Sequence, residues 1–112
     1  MITQFFGDAD HSFTLTGPMI LELERSSSVG IGGLYQRLRR HEFTLAIITE
    51  TIRLALIGGG TAPQRAAELV ATYAAPAAPL GESYVLAVDI LTDLWTGPTE
   101  VAPGTKGESS NG

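Results

Sequence analysis

Three neighbouring side chains near the start of the sequence are of types that bind metal ions: Asp8, Asp10 and His11. Carboxylates and an imidazole this close together can meet on a turn, but a metal site also needs ligands that converge from elsewhere in the fold. The other histidine, His41, lies far along the chain among arginines. We therefore interpret the three residues as polar side chains of a turn and predict no metal site.

Pairs of acidic residues are the next candidates for chemistry, because general acid–base catalysis often uses two carboxyl groups. Glu22 and Glu24 occupy neighbouring positions of a predicted helix, and such positions do not face each other. Asp89 and Asp93 are four residues apart, but on a predicted solvent-facing stripe with no nucleophile or base beside them. The chain has no cysteine and only two histidines. We predict no catalytic residue and no cofactor, and that the protein is not an enzyme.

Two glycine-rich segments, 30–33 and 58–60, raise the question of a phosphate-binding loop. A P-loop requires a lysine followed by serine or threonine, and neither segment has one. A dinucleotide-binding turn follows a strand, whereas both segments here follow predicted helices. Glycine also ends helices, because it adopts positive φ without strain. We interpret both segments as helix ends and tight turns.

One basic run stands out in a chain of net charge −5, and it consists of Arg37, Arg39, Arg40 and His41. Such a run is usually a solvated helix face, which also complements the negative end of the helix dipole. The functional interpretation is a docking site for an acidic partner segment. Contact with nucleic acid is disfavoured by the acidic balance and by the lack of interleaved aromatic residues.

Composition sets the broad class of the protein. The chain of 112 residues has the usual length of one domain, with 44% hydrophobic but only 17% charged residues. So little charge leaves apolar surface that one core cannot cover, which predicts a homo-oligomer or a standing partner. No apolar run is long enough to span a membrane and no signal peptide is evident, so we expect a cytoplasmic protein.

The elements that must position these residues are predicted to be mainly α-helical. Two β-rich runs, residues 2–6 and 12–16, flank a turn-forming cluster at residues 7–10 and predict an N-terminal hairpin, with Phe13 and Leu15 on one face. The hairpin needs a helical surface to cover that face. We predict four to five short helices, forming two αα-hairpins, within one domain at residues 1–96. The Gly/Pro/Ser-rich segment 97–112 is predicted to be a disordered tail.

Helix boundaries follow from capping residues and apolar spacing. Gly17 and Pro18 open the first helix, and the second carries an apolar stripe from Ile31 to Leu38. The third runs from about Thr44 to the glycines at 58–60, and Thr61 is the predicted N-cap of the fourth. The fifth runs from about Leu80 to Trp95. Its broad apolar face is typical of a central or partner-facing helix, and Glu82, Asp89 and Asp93 mark its predicted wet stripe.

Four segments taken in order resemble a known family: FTLTGPMILELERSSSVGIGGLYQRL, HEFTLAIITETIRLALIGGG, TAPQRAAELVATY and PLGESYVLAVDILTDLW. The chain is similar over about residues 11–96 to a small phage-tail protein encoded by gene transfer agents and by long-tailed phages and prophages, with ALIGGG as the hallmark. Members are usually encoded between the tail tube and tape measure genes. The resemblance implies a tail assembly chaperone that binds the tape measure protein and tail tube subunits, and it implies no catalytic residues.

Two other functions remain open at this point. The family has also been labelled a tail tube component, so a structural subunit retained in the virion tail is the first alternative. Tube proteins form rings from long β-strands, whereas this chain shows one short hairpin, which favours the chaperone. A small helical DNA-binding regulator is the second alternative, and the acidic charge disfavours it.

The predicted partner-binding residues lie on the second and fifth helices, because Tyr, Trp and Arg are the usual anchors of interfaces. Ordinary core packing is the competing and commoner role for the leucines and aromatics among them. They are Leu34, Tyr35, Arg37, Leu38, Arg39, Arg40, Tyr84, Val88, Leu91 and Trp95.

Overall fold

The computed structural model describes residues 1–97. Within that range an antiparallel hairpin precedes five helices, as the sequence predicts. The elements are β1 (Ile2–Phe6), β2 (Ala9–Phe13), α1 (Gly17–Ser27), α2 (Ile31–Arg39), α3 (Leu45–Gly58), α4 (Pro63–Tyr73) and α5 (Leu80–Thr96). The predicted disordered tail lies, from residue 98 onward, outside the described residues. None of the five helices is both long and apolar enough to cross a membrane.

The second strand begins earlier than the sequence predicts, at Ala9 rather than at Ser12. The reason is the turn: Gly7 adopts φ +73°, so two residues, Gly7 and Asp8, reverse the chain and Phe6 pairs with Ala9. Asp10 and His11 therefore belong to the ladder instead of the turn. The predicted alternation survives, since Phe13 and Leu15 are both buried.

The central helix of the fold is α3, whereas the sequence suggested that α5 was either central or partner-facing. Helices α1, α4 and α5 and strand β2 all pack against α3. Full burial of an aliphatic side chain stabilises a fold by about 1.5–3 kcal/mol. The buried residues of α3 are Ile47, Ile48, Thr51, Ile52, Leu54, Ala55 and Leu56.

The glycines that end α3 form the junction between the helix and the hairpin. The Thr14 N–H donates to the Ala55 carbonyl oxygen at 3.1 Å, which brings the strand backbone onto the last turn of α3. A Cβ atom at Gly58 would overlap the carbonyl oxygen of Thr14, and one at Gly59 would overlap that of Ser12. The first two glycines of ALIGGG thus permit backbone-to-backbone contact, and only Gly60 has the expected positive φ, +113°.

Two other helix ends differ from the sequence prediction. The left-handed residue that ends α1 is Ser28, with φ 60°, while Gly30 has φ −64° and is the N-cap of α2. The Glu24 carboxylate accepts from the Ile31 N–H at 2.9 Å and so ties α1 to the start of α2. The N-cap of α4 is Ala62 rather than Thr61, because Pro63 fixes the first helical position one residue later.

Candidate interaction surface at the α2–α5 corner

Three of the predicted partner-binding residues are core residues of the monomer. Leu34 and Leu38 of α2 and Leu91 of α5 are at most 1% exposed, because these two helices pack against each other through their apolar stripes. They hold the corner together and present no surface to a partner in this conformation.

The other end of the same contact is exposed and aromatic. Trp95 is 62% exposed, and its ring stacks on Tyr35 with ring centroids 5.5 Å apart. The Arg39 guanidinium lies over the Tyr35 ring, 5.5 Å from its centroid. The Tyr35 hydroxyl is hydrogen-bonded to the Thr92 hydroxyl at 3.1 Å, which fixes the ring against α5. We call Tyr35, Arg39 and Trp95 the aromatic corner.

Spacing on each helix explains why these side chains meet. Tyr35 and Arg39 are four residues apart and share a face of α2. Trp95, in the last turn of α5, reaches the same face. Together with Gly32 and Gln36 they line a shallow depression of about 390 Å³. A Cβ at Gly32 would lie 3.9 Å from the Trp95 ring, an ordinary contact distance.

Tyr84 and Val88 lie further along α5 and are half-buried. The Tyr84 ring is stacked with both His41 and Phe43, at centroid distances of 4.9 and 5.2 Å. Its hydroxyl donates to the Leu38 carbonyl oxygen at 2.7 Å. Tyr84 therefore secures the end of α2 and the segment that follows it.

The arginines of the basic run differ from the others in their ion pairs. Arg25 pairs with Glu22, Arg53 with Glu50, and Arg65 with Asp8. Arg40 has only a long contact with Glu42, at 3.9 Å. Across residues 1–97, Arg37 and Arg39 have no carboxylate within ion-pair distance; the ion pairs in that range are Met1–Asp93, His11–Asp8, Arg25–Glu22, Arg40–Glu42, Arg53–Glu50, Arg65–Asp8 and Arg65–Glu68.

The basic run is divided between two sides of α2. Arg39 and Arg40 line a depression with Gln36, next to the aromatic corner. Arg37 lines a different depression, formed with α1 and the start of α3. A single partner helix docked on the aromatic corner would therefore contact Arg39 and Arg40 rather than all three arginines.

Two of the residues first considered for metal binding, Asp8 and His11, hold the hairpin turn in place. The Asp8 carboxylate is hydrogen-bonded to the His11 ring at 3.0 Å. It also forms an ion pair with the Arg65 guanidinium of α4. The hydrogen bond from His11, with a further contribution from Arg65, lowers the pKa of Asp8 below its usual 3.8. In the described part of the chain, no three Asp, Glu or His side chains come together as a metal site would require.

The four-residue spacing of Tyr35 and Arg39 signalled their contact. Two other features could not be predicted from the sequence. The first is the stacking of Trp95 on Tyr35, because nothing local shows which helix the last turn of α5 will meet, and the second is the burial of Asp93. Asp93, predicted to be solvated, is only 9% exposed and pairs with the Met1 ammonium group at 2.6 Å.

Comparison of the whole chain with known protein families gives a match. A family model described as "Phage tail tube protein, GTA-gp10" matches residues 1–97. The chain belongs to this GTA-gp10 phage tail tube family. The suspected resemblance is thereby confirmed, and the match spans every element of the fold. Comparison with curated proteins and with solved structures finds no match.

Membership of the GTA-gp10 family assigns the chain to the tail of a phage-like particle, with a structural or assembly role. The family description is that of a structural protein. The described part of the chain is largely helical, with one two-stranded hairpin.

Proposed function

We propose that this chain is a non-enzymatic assembly chaperone of a phage-like tail. It binds the tape measure protein, delivers tail tube subunits to it, and acts in the cytoplasm of the bacterial host while the particle is built. The observation that carries the proposal is the aromatic corner, where an exposed tryptophan is stacked on a tyrosine. Beside them lie Arg39, which has no carboxylate within ion-pair distance among residues 1–97, and Arg40, whose contact with Glu42 is long, 3.9 Å.

The chemistry of the corner matches a helical partner with acidic residues. Trp95 and Tyr35 offer a rigid apolar platform, the kind of surface on which an amphipathic helix docks through its apolar face. Arg39 and Arg40 lie at the edge of that platform, where they can pair with glutamates of the partner. Electrostatic complementarity of this kind raises association rates and fixes the orientation of the partner.

The test is co-expression with the tape measure protein of the same particle, followed by co-purification. Trp95→Ala and Arg39→Glu should each weaken the complex by about 2 kcal/mol or more, or roughly 30-fold in affinity. Arg25→Glu is the matched control, because it makes the same charge change at an arginine that already has a carboxylate partner. Equal retention of the tape measure by all three variants would exclude the aromatic corner.

A structural subunit of the tail tube is the second candidate, and the family description favours it. Mass spectrometry of purified particles separates the two functions. A chaperone should be absent from mature particles, whereas a tube subunit should be present at many copies per tail. Self-association of the purified chain is expected for the tube subunit, and a homo-oligomer remains a prediction for the chaperone too.

A further inference from the structure

A groove runs between β1 and α5. It consists of two adjoining cavities of about 360 and 400 Å³, which share Gln4. Consecutive residues of β1 line it, although their side chains point alternately to the two faces of the hairpin. Consecutive residues of a strand have only their backbone edge in common, so the backbone edge of β1 forms one wall of the groove. We call this the β1–α5 groove.

The edge of β1 is open in the described part of the chain. The sheet has two strands, and the far edge of β2 is covered by the end of α3 at Gly58 and Gly59. Phe6 and Ala9 flank the two-residue turn as the closing hydrogen-bonded pair, and such pairs alternate along an antiparallel ladder. Thr3 and Phe5 therefore direct their N–H and C=O groups away from β2, toward the groove.

The opposite wall, formed by α5, is acidic. Glu82 lies at one end of the groove and Asp89 and Asp93 at the other, and these residues share one side of the helix. Partial loss of hydration raises the pKa of Asp89 above its usual 3.8. One oxygen of the buried Asp93 carboxylate binds the Met1 ammonium group, and the other, Oδ1, has no hydrogen-bond partner in residues 1–97.

We propose that the β1–α5 groove binds an extended, basic segment of a partner protein, which adds a strand to β1 and sets lysine or arginine side chains against Glu82, Asp89 and Asp93. Strand addition satisfies the outward N–H and C=O groups of Thr3 and Phe5. A cation from the partner compensates above all Glu82 and Asp89, for which no cation lies within ion-pair distance among residues 1–97. The exposed Phe5 ring, at one end of the groove, offers an apolar contact to the added strand.

A second copy of the chain does not fit this occupant. Neither β1 nor β2 contains lysine or arginine, and the basic run lies in helix α2 and the two residues that follow it. Among the described residues a second copy therefore offers no basic strand. The partner is therefore a different protein, and the segment that binds alternates apolar and basic residues.

The probe is a capped heptapeptide that alternates lysine with valine, titrated into the full-length, ¹⁵N-labelled chain. We expect saturable shifts of the Thr3 and Phe5 amide resonances and of amides near Asp89. Asp89→Lys should weaken binding by about tenfold, because it places a like charge against the peptide. Glu68→Lys, the same change at an exposed glutamate of α4 outside the groove, should alter affinity by less than about twofold.

A second variant tests the strand itself. Thr3→Pro removes one outward N–H, and proline is tolerated on edge strands, so the hairpin should persist while peptide binding is lost. Equal binding of a glutamate–valine peptide, no binding of the lysine–valine peptide, or peptide-induced shifts confined to α2 would overturn the proposal. Shifts of the β1 amides that depend on protein concentration without peptide would also overturn it, because they indicate a second copy. So would shifts of the β1 amides caused by Lys106→Glu, because they indicate the chain's own C-terminal segment.

This groove and the aromatic corner can fail independently. Trp95→Ala should leave binding of the lysine–valine peptide unchanged, because Trp95 does not line the groove. Loss of tape measure binding in that variant, with peptide binding intact, shows that the two sites are separate. If the unsubstituted chain binds the tape measure protein but not the peptide, the groove proposal alone fails.

Discussion

The hairpin junction and the aromatic corner are built on opposite principles. At the junction, Gly58 and Gly59 let two backbone segments of the same chain come into contact, so these atoms are used within the fold. At the corner, the side chains of Trp95 and Arg39 are exposed and can contact another molecule. The ALIGGG segment, which carried the resemblance in the sequence, therefore specifies the fold, whereas the residues suited to a partner lie elsewhere, on α2 and α5.

The largest effect should come from closing the junction. Gly59→Ala places a methyl group on the Ser12 carbonyl oxygen, which is backbone and cannot rotate away. We expect a loss of about 4 kcal/mol or more in the free energy of unfolding, measured by urea denaturation, or failure to fold.

The matched control for this change is Gly81→Ala, in the first turn of α5. A Cβ at Gly81 meets nothing within 4 Å. Alanine there should stabilise the protein by about 0.5–1 kcal/mol through its better helix propensity. Similar, small effects of both substitutions would show that the contact at the junction is not tight.

A smaller but still large effect is expected inside the α2–α5 contact. Leu91→Ala removes a buried side chain and should cost about 2–5 kcal/mol of stability. Trp95→Ala, one helical turn away, removes a mostly exposed ring and should cost less than about 1 kcal/mol. Thermal or urea unfolding of the two variants measures the difference, and the reverse order would place Trp95 in the core.

Removing the cation over Tyr35 should have a smaller effect again. Arg39→Gln keeps a polar, unbranched stem but is shorter and loses the charge, and exposed cation–π contacts contribute about 0.5–1 kcal/mol. The loss of stability should stay within that range, while binding of the tape measure falls. Arg53→Gln, which breaks the ion pair with Glu50 away from the corner, should leave tape measure binding unchanged.

The smallest effect is a pH dependence at the hairpin turn. The folded-state pKa of Asp8 lies below 3.8, because His11 and Arg65 favour its charged form. The stabilising contribution of this carboxylate is therefore present above about pH 3.8 and is lost as the pH falls through the folded-state pKa. Asp8→Asn should flatten the loss of stability in acid, as followed by denaturation at a series of pH values. An unchanged acid profile would show that Asp8 is not coupled to folding.

Local chemistry in the sequence was sufficient for the elements but not for all of their ends. Periodicity gave five helices, and the alternation of Phe13 and Leu15 gave the face of the hairpin. The register of the hairpin depended on whether the turn used two residues or four. Gly7 decided that through its positive φ, which a cluster of four turn-forming residues did not reveal.

The candidate surface was harder to predict, because core and interface share the same signal. Leu34, Leu38 and Leu91 recur at helical spacing whether they pack in the monomer or against a partner, and the pairing of α2 with α5 decides for the core. Arg37 and Arg39 are two residues apart, so the helix turns them to different sides. Asp93 has the spacing of a solvated residue, and only the fold brings the Met1 ammonium group to it.

The most direct test of the corner uses the chain's sole tryptophan, Trp95. The full-length protein is labelled with 5-fluorotryptophan and mixed with the unlabelled tape measure protein, and its single ¹⁹F resonance is recorded. We predict a shift of this resonance and a loss of its sensitivity to D₂O as the complex forms. A complex that forms while the resonance stays unshifted and solvent-exposed would contradict the account.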